Sequence, residues 1–467
     1  MYEITPNLDP TAKTPLYVQL SDYLKQEIIT GKIASTEKLP SKRKLAQHLG
    51  ISLNTIQAAY DQLVAEGYIE SMPRKGLFVT EMEQNTFFKP RTLLIDEKKQ
   101  EGPADKLKIN FNSGHVDLEA FPHTIWRKLS VQSLVQDQNT LYYNHHPQGE
   151  PELREAIAQS LYESRGVACT AEQIIIGAGT QSLISLLYLM IGNESPYALE
   201  DPGYHRVRKV LYHHGATLVP IPLDEEGIDI EKLAQSKAKT VYVTPSHQFP
   251  YGMIMPIKRR TALLKWAEMT EGYIIEDDYD GEYRYKGKPI PSLQGLDRNE
   301  RVIYLGTFSK ALIPSIRISY MVLPPTLLST YHQHFTLFKQ TTSRLHQETL
   351  LHFIQEGHWE RHLNKMRTLY RKKHDVLLST IKQWMGERVR VIGDQSGLHI
   401  VLEVKNGMKE EELIASARQK GVKIYPLSIY FNNPKATRCS KVLLGFGGLS
   451  EKQIKEGIVL LSKAWKL

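Results

Sequence analysis

Val302-Ile303-Tyr304-Leu305-Gly306-Thr307-Phe308-Ser309-Lys310 is the stretch that decides how most of this chain folds. Four apolar residues run into a glycine and then a polar, hydroxyl-rich turn, the pattern of a buried strand whose carboxyl end opens towards solvent or ligand. The pattern recurs upstream in Ile174-Ile175-Ile176, Tyr197-Ala198-Leu199, Val241-Tyr242-Val243 and Tyr273-Ile274-Ile275, with amphipathic helical stretches between the runs. Such alternation predicts an α/β fold, a large and mostly parallel sheet covered on both faces. Ligands then belong at the carboxyl ends of its strands. Beyond about residue 330, long amphipathic helical stretches precede Leu398-His399-Ile400-Val401-Leu402 and Lys441-Val442-Leu443-Leu444, which predicts a smaller α+β C-terminal lobe.

Residues 1–80 read differently. Thr14-Pro15 supplies an N-cap and a first helical residue, and Leu16, Leu20, Leu24 and Ile28 recur every four residues until Gly31. Ser41 caps a short second helix that stops at Gly50. Ser52 starts a third, with Ile56, Ala59, Tyr60, Leu63 and Val64 inward, which ends at Gly67. Two helices joined by Gly50-Ile51 have helix-turn-helix spacing. Tyr68-Ile69-Glu70 and Leu77-Phe78-Val79 then flank a basic hairpin tip, Met72-Pro73-Arg74-Lys75-Gly76. Residues 81–107 mix both charge signs with Pro90, Gly102 and Pro103 and carry no period, so they read as a linker. Residues 108–467 form the α/β part.

The 467 residues, 41% hydrophobic and 24% charged, have the balance of a globular protein with ample core. Two cysteines, Cys169 and Cys439, make neither a disulfide framework nor a metal cluster, and a cytoplasmic setting is expected. The opening Met1-Tyr2-Glu3-Ile4 lacks a signal peptide's basic and apolar regions, and Leu183–Ile191 is far short of the ~20 residues that span a bilayer. The formal charge of +8 suits an acidic partner only weakly when spread over the whole chain. Its placement says more. Four of the nine Lys and Arg in residues 1–80 (Lys38, Lys42, Arg43, Lys44) fall within seven residues.

Polar groups gather at the expected strand ends. Gly177-Ala178-Gly179-Thr180-Gln181 opens a helix whose N–H groups can cradle a phosphate. Asp277-Asp278-Tyr279-Asp280 follows one strand, and Thr307-Phe308-Ser309-Lys310 follows another, with Arg317 seven residues on. Together they meet the needs of pyridoxal phosphate: an amine for a Schiff base, an anion beside the pyridine nitrogen, and donors plus a cation for the phosphate. Lys310 would form the Schiff base and Asp277 would keep the ring nitrogen protonated. Tyr279 would bond the phenolic oxygen, and Tyr204 would lie against the ring face. Gly179, Thr180, Thr307, Ser309 and Arg317 would hold the phosphate. No metal site is expected.

From about residue 110 onwards the chain resembles the fold type I aminotransferase domain, through His146-Pro147-Gln148-Gly149, Gly177-Ala178-Gly179-Thr180-Gln181, Glu276-Asp277-Asp278-Tyr279-Asp280 and Gly306-Thr307-Phe308-Ser309-Lys310. Residues 14–80 resemble a GntR-type winged helix, through Leu39-Pro40-Ser41-Lys42-Arg43-Lys44-Leu45-Ala46 and Ala65-Glu66-Gly67-Tyr68-Ile69. Fused in this order, the two resemble the MocR family of bacterial transcription regulators. The resemblance implies a regulator of promoter DNA whose aminotransferase-like domain senses an amino compound as an external aldimine at Lys310. It also implies a head-to-tail, domain-swapped homodimer. A working aminotransferase with an added DNA-binding module is the alternative.

Lys42, Arg43, Ser52, Asn54, Thr55 and Gln57 are the candidate DNA contacts of the helices, and Arg74, Lys75 and Gly76 those of the wing. Arg206 and Arg438 are candidates for an effector carboxylate. Leu53 stands where most winged helices of this type carry an arginine. Pro245-Ser246-His247-Gln248-Phe249-Pro250-Tyr251-Gly252 replaces the Asn-Pro turn of true aminotransferases, with His247 offered to fill the space beside the ring oxygen. The family branch that senses γ-aminobutyrate has an arginine where this chain reads Leu427-Ser428-Ile429-Tyr430, which sets that ligand aside.

Overall fold

The computed structural model describes residues 4–81, 107–136, 141–285, 290–434 and 440–467. Residues 82–106 of the expected linker, Arg438 and Cys439 lie outside them. The chain divides into two units, Met1–Gly102 and Pro103–Leu467.

The first unit holds α1 (Leu16–Ile29), α2 (Lys42–Leu49), α3 (Leu53–Ala65) and the antiparallel strands β1 (Ile69–Met72) and β2 (Gly76–Val79). Leu20, Leu24 and Ile28 pack with Leu45, Ile56, Ala59, Tyr60, Leu63, Ile69 and Val79 in one core. The Ser41 side chain accepts the N–H of Lys44, and that of Ser52 accepts the N–H of Thr55, so both expected caps form. Two expectations shift. The first helix begins at Leu16 with Pro15 in the capping position at ψ 145°, because an extended Pro15 cannot also be the first helical residue. Val64 is exposed, since Leu63 already takes the inward-facing place. The wing also gains an unread antiparallel bridge between Lys38 and Phe78. Thr36 N–H donates to Val79 O, Val79 N–H to Glu37 O and Leu39 N–H to Leu77 O. This carries Lys38 onto the wing, its ammonium 5.9 Å from the Phe78 ring centre.

In the second unit β3 (Ile109–Asn110) stands apart from an eight-stranded sheet. That sheet contains β4 (Ile174–Gly177), β5 (Tyr197–Asp201), β6 (Leu218–Asp224), β7 (Gly227–Ile228), β8 (Thr240–Val243), β9 (Tyr273–Asp278), β10 (Val302–Thr307) and β11 (Ser319–Val322), in the order β4-β11-β10-β9-β8-β5-β6-β7. The contiguous pairs from β10 to β6 are parallel, whereas β11 runs antiparallel between β10 and β4. Alternate residues feed opposite layers. Ile303 and Leu305 enter the core with helix Thr180–Ile191, and Tyr304 enters that of helices Pro151–Arg165 and Arg344–Gln355.

The register sets the site. Thr307 lies opposite Ser319, Ser319 opposite Gly177, and Leu305 opposite Asp277. One rim therefore collects the ends of β4, β9 and β10 with the start of β11. The C-terminal lobe is an antiparallel sheet of β12 (Val389–Ile392), β13 (His399–Val404), β15 (Tyr425–Pro426) and β16 (Lys441–Gly445), and β14 (Val422–Lys423) pairs with β3. Among the described residues no helix is long and apolar enough to cross a membrane.

Candidate functional site

A cavity of about 390 Å³ opens on this rim. Lys310, Asp277, Tyr279, Tyr204, Gly179, Thr180, Thr307, Ser309, Arg317 and Arg206 all line it. The sequence therefore disperses from Gly179 to Arg317 what the sheet register brings to one place.

At one end lies an anion cradle. Arg317 sits in left-handed backbone (φ 52°), and its Nη2 donates to Ala178 O at 2.6 Å. Gly179 has φ 121°, and a Cβ there would fall 2.0 Å from Arg317 Nη2, so only glycine lets the guanidinium approach. Thr307 Oγ1 accepts from Ser319 Oγ at 2.8 Å and from Ser309 N–H at 3.2 Å. Ser309 Oγ is buried with no hydrogen-bond partner. Spare donors, a guanidinium and a helix N-terminus at Thr180 fit a phosphate ester.

At the other end Lys310 Nζ donates to Ser113 O. Burial lowers the Lys310 pKa, Asp280 opposes the shift and Arg206 adds to it, which favours the free amine that can attack a carbonyl. Asp277 is buried and accepts the Tyr242 hydroxyl. Burial pushes its carboxyl up to about 7, and the Tyr242 hydrogen bond restrains that rise. A carboxylate so poised is ready to gain a cationic N–H partner. Tyr279 and Tyr204 carry phenols that burial holds above the usual range.

His247 is not among the residues lining the cavity; Phe249, which precedes the cis peptide to Pro250, is. His247 Nδ1 lies 3.0 Å from both Asp280 carboxylate oxygens and 3.0 Å from the Tyr279 hydroxyl, which also donates to His247 O. His247, Asp280 and His399 come together with possible ligand atoms within 4.8 Å of one another. In this arrangement Nδ1 of His247 is already engaged, and His399 Nε2 pairs with Pro250 O at 3.0 Å. Burial, then the neighbouring His247, lowers His399 to about 3.

Several lining residues were missed. Tyr242 reads as one more apolar place in Val241-Tyr242-Val243, and Ser319 opens a strand the sequence reading did not register. Asn112, Ser113 and Gly114 fall in irregular chain. Tyr425, Ile429 and Tyr430 come from the C-terminal lobe. The segment 427–430 is clasped from both sides. Glu410 accepts the N–H groups of Leu427 and Ser428, and Arg208 donates to the carbonyls of Tyr430 at 3.0 Å and Ile429 at 3.1 Å.

In the first unit Arg43, Asn54, Arg74, Lys75 and Gly76 are exposed, as is Leu53 at the start of α3. Lys42 Nζ donates to Gln57 Oε1, and Gln57 Nε2 donates to Asp61, so these two candidate contacts are tied to each other. The Thr55 and Ser52 hydroxyls are 2.8 Å apart. Arg74 occupies left-handed backbone (φ 61°) at the wing tip.

Comparison with known proteins agrees with both units. Residues 106–446 match the family "Aminotransferase class I and II", and residues 16–79 match "Bacterial regulatory proteins, gntR family". The chain is 49% identical over 465 residues to the uncharacterized HTH-type transcriptional regulator YdeL of Bacillus subtilis, covering 100% of both chains. It is 34% identical over 472 residues to the probable rhizopine catabolism regulatory protein MocR of Rhizobium meliloti, covering 98% of this chain and 95% of that one. The crystal structure of Pyrococcus horikoshii kynurenine aminotransferase superposes with a TM-score of 0.68 at 26% identity, over 77% of this chain and 90% of that one. The chain belongs to the MocR family of transcription regulators, a DNA-binding winged helix of the GntR type followed by a class I and II aminotransferase fold that is pyridoxal-phosphate-dependent.

Proposed function

We propose that this regulator binds promoter DNA through α2, α3 and the wing, and that an amino compound entering the Lys310 cavity changes that binding. One observation carries the reading: a buried amine, a buried carboxylate and an anion cradle line the same cavity of a chain that also bears a winged helix. When bound, pyridoxal phosphate supplies an electrophilic aldehyde and an electron-withdrawing ring. Lys310 Nζ is the amine that would hold that aldehyde, and an effector amine would compete with it there. Asp277 keeps a proton on the ring nitrogen. Arg317, Gly179, Thr180, Thr307 and Ser309 would bind the phosphate, Tyr204 would cover the ring face, and Tyr279 would turn its hydroxyl from His247 O to the ring oxygen. Arg206, at the cavity wall, receives an effector carboxylate.

Release of Lys310 would free a tether and could be felt by the C-terminal lobe, whose Ile429 and Tyr430 line the same cavity. The effector switches DNA binding only by its differential affinity for the two arrangements. The working state is a cytoplasmic homodimer, head-to-tail and domain-swapped, reading two half-sites. Purified protein titrated with candidate amines should change its visible absorbance at the concentrations that change footprints upstream of its own gene. Spectral change without any change in the footprint would refute the coupling. Sustained turnover of an amino donor and a keto acid, indifferent to removal of residues 1–80, would instead favour an enzyme.

A further inference from the structure

A second cavity, of about 370 Å³, lies on the other face of the large sheet. Adjacent strand residues point to opposite faces, and here Asp277 lines the cofactor cavity whereas Asp278 lines the second one. Thr307 lines both. The remaining wall comes from helices Pro151–Arg165 and His358–Met385 and the turn at Gly281-Glu282.

Its polar groups are out of balance. Four carboxyls border it (Glu163, Asp278, Glu282, Glu360) against two guanidiniums, Arg165 and Arg367. Asp278 Oδ2 takes Arg165 Nε at 2.6 Å and the Tyr304 hydroxyl at 2.7 Å, and Arg165 Nη2 goes to Ser246 Oγ at 2.6 Å. Arg367 Nε donates to Glu282 O and its Nη1 to Asn364 Oδ1, both at 3.0 Å, and neither bond reaches the two carboxyl groups of Asp278 and Glu282. Two carboxylate oxygens are left over. Asp278 Oδ1, on a side chain 3% exposed, and Glu282 Oε2 are both buried and have no hydrogen-bond partner. Burial and the neighbouring Asp278 push Glu282 up to about 7. A buried acceptor without a donor is destabilising, and a ligand bearing donors relieves that cost. The apolar wall includes Phe308 and Trp359, whose rings meet edge to face at 5.1 Å, and such rings attract a cation lying against them.

We infer that this cavity is a binding site for a small organic cation with a flat, multi-donor head, an amidinium or guanidinium on a short apolar body, separate from the cofactor cavity. The Glu282 carboxyl takes its N–H groups, with the buried Asp278 adding negative charge behind it, and Phe308 and Trp359 take its body. Because Asp278 neighbours Asp277 and Thr307 borders both cavities, occupancy is felt at the cofactor.

The test uses the full-length, cofactor-loaded protein titrated with benzamidinium by calorimetry. This cation is not a primary amine that would condense with the aldehyde, and benzamide is its neutral match. The proposal expects saturable binding of one benzamidinium per chain, benzamide weaker by about tenfold or more, and a similar loss in Glu282→Gln. It also expects a small shift of the cofactor's visible band, and binding retained in Lys310→Ala. Asn364 is exposed at the rim, so Asn364→Trp should block entry by bulk even if Glu282→Gln does not fold. No saturable binding, equal affinity for benzamide, unchanged affinity in both variants, or loss of binding in Lys310→Ala would each overturn it. The cofactor colour and DNA binding of Asn364→Trp, read in parallel, separate failure of this site from failure of the regulator reading.

Discussion

The hydroxyl of Tyr242 on β8 donates to Oδ2 of Asp277 on β9. In the parallel register Tyr242 lies opposite Ile275, so its ring reaches diagonally across to Asp277. Hydrogen bonds to charged acceptors contribute ~1.5–3 kcal/mol, and this one favours the carboxylate against its burial. Tyr242→Phe should raise the dissociation constant for pyridoxal phosphate about tenfold, read by absorbance as the cofactor is titrated into the cofactor-free chain. An unchanged constant would show that Asp277 needs no such support.

Gly179 and Arg317 form a steric pair. Gly179→Ala should displace the guanidinium and cost about as much cofactor affinity as Arg317→Ala, roughly tenfold or more. The double variant should cost little beyond either single one, because both remove one interaction. Full additivity in the same titration would break the link.

Stability of the cofactor-free protein should fall as pH rises from 6.5 to 8. Burial raises Glu200, Glu276, Asp277 and Glu282 to about 7. The folded chain therefore holds protons in this window that the unfolded chain has lost, and stability falls with slope 2.303RT per excess proton. Burial also lowers His145, His146, His205, His362, His374 and His399, which act in the opposite sense around pH 6.5 and fade as the pH climbs towards 8. Lys310, lowered by burial, also opposes the fall. Urea titrations at pH 6.5 and 8 read the difference, and Asp277→Asn should shrink it. Rising stability across that range would contradict the assignment.

DNA affinity should fall steeply with salt, and Arg43→Ala should reduce the log–log slope by about 0.9, the contribution of one phosphate contact. Ser52→Ala removes the cap of α3 and should cost ~1 kcal/mol of stability in the first unit. Binding measured over a series of salt concentrations checks the former, and denaturant unfolding the latter. An unaltered slope would place Arg43 off the backbone.

The placement of Lys310, Asp277 and Arg317 was legible because strand ends can be found from apolar runs alone, and the register then brings those ends to one rim. Partners supplied by pairing across the fold were not. Tyr242 and Ser319 act through neighbouring strands, and nothing local marks them out. Lys38 reads as part of the basic cluster before α2, but backbone bonds from Thr36 to Leu39 carry it onto the wing. His247 was offered to the space beside the ring oxygen. The turn instead presents Phe249 to the cavity and leaves His247 with Asp280 and Tyr279.

The clasp on segment 427–430 bears on how such receptors diversify. Arg208 and Glu410 grip its carbonyls and amides, so the trace of this loop is fixed by two residues outside it. Ile429, half-buried at the cavity, is thereby left to vary in side chain while the backbone stays put, whereas Tyr430 is held between Phe249 and His205. Selection can reshape this side of the cavity, one codon at a time, without rebuilding the wall that carries the change.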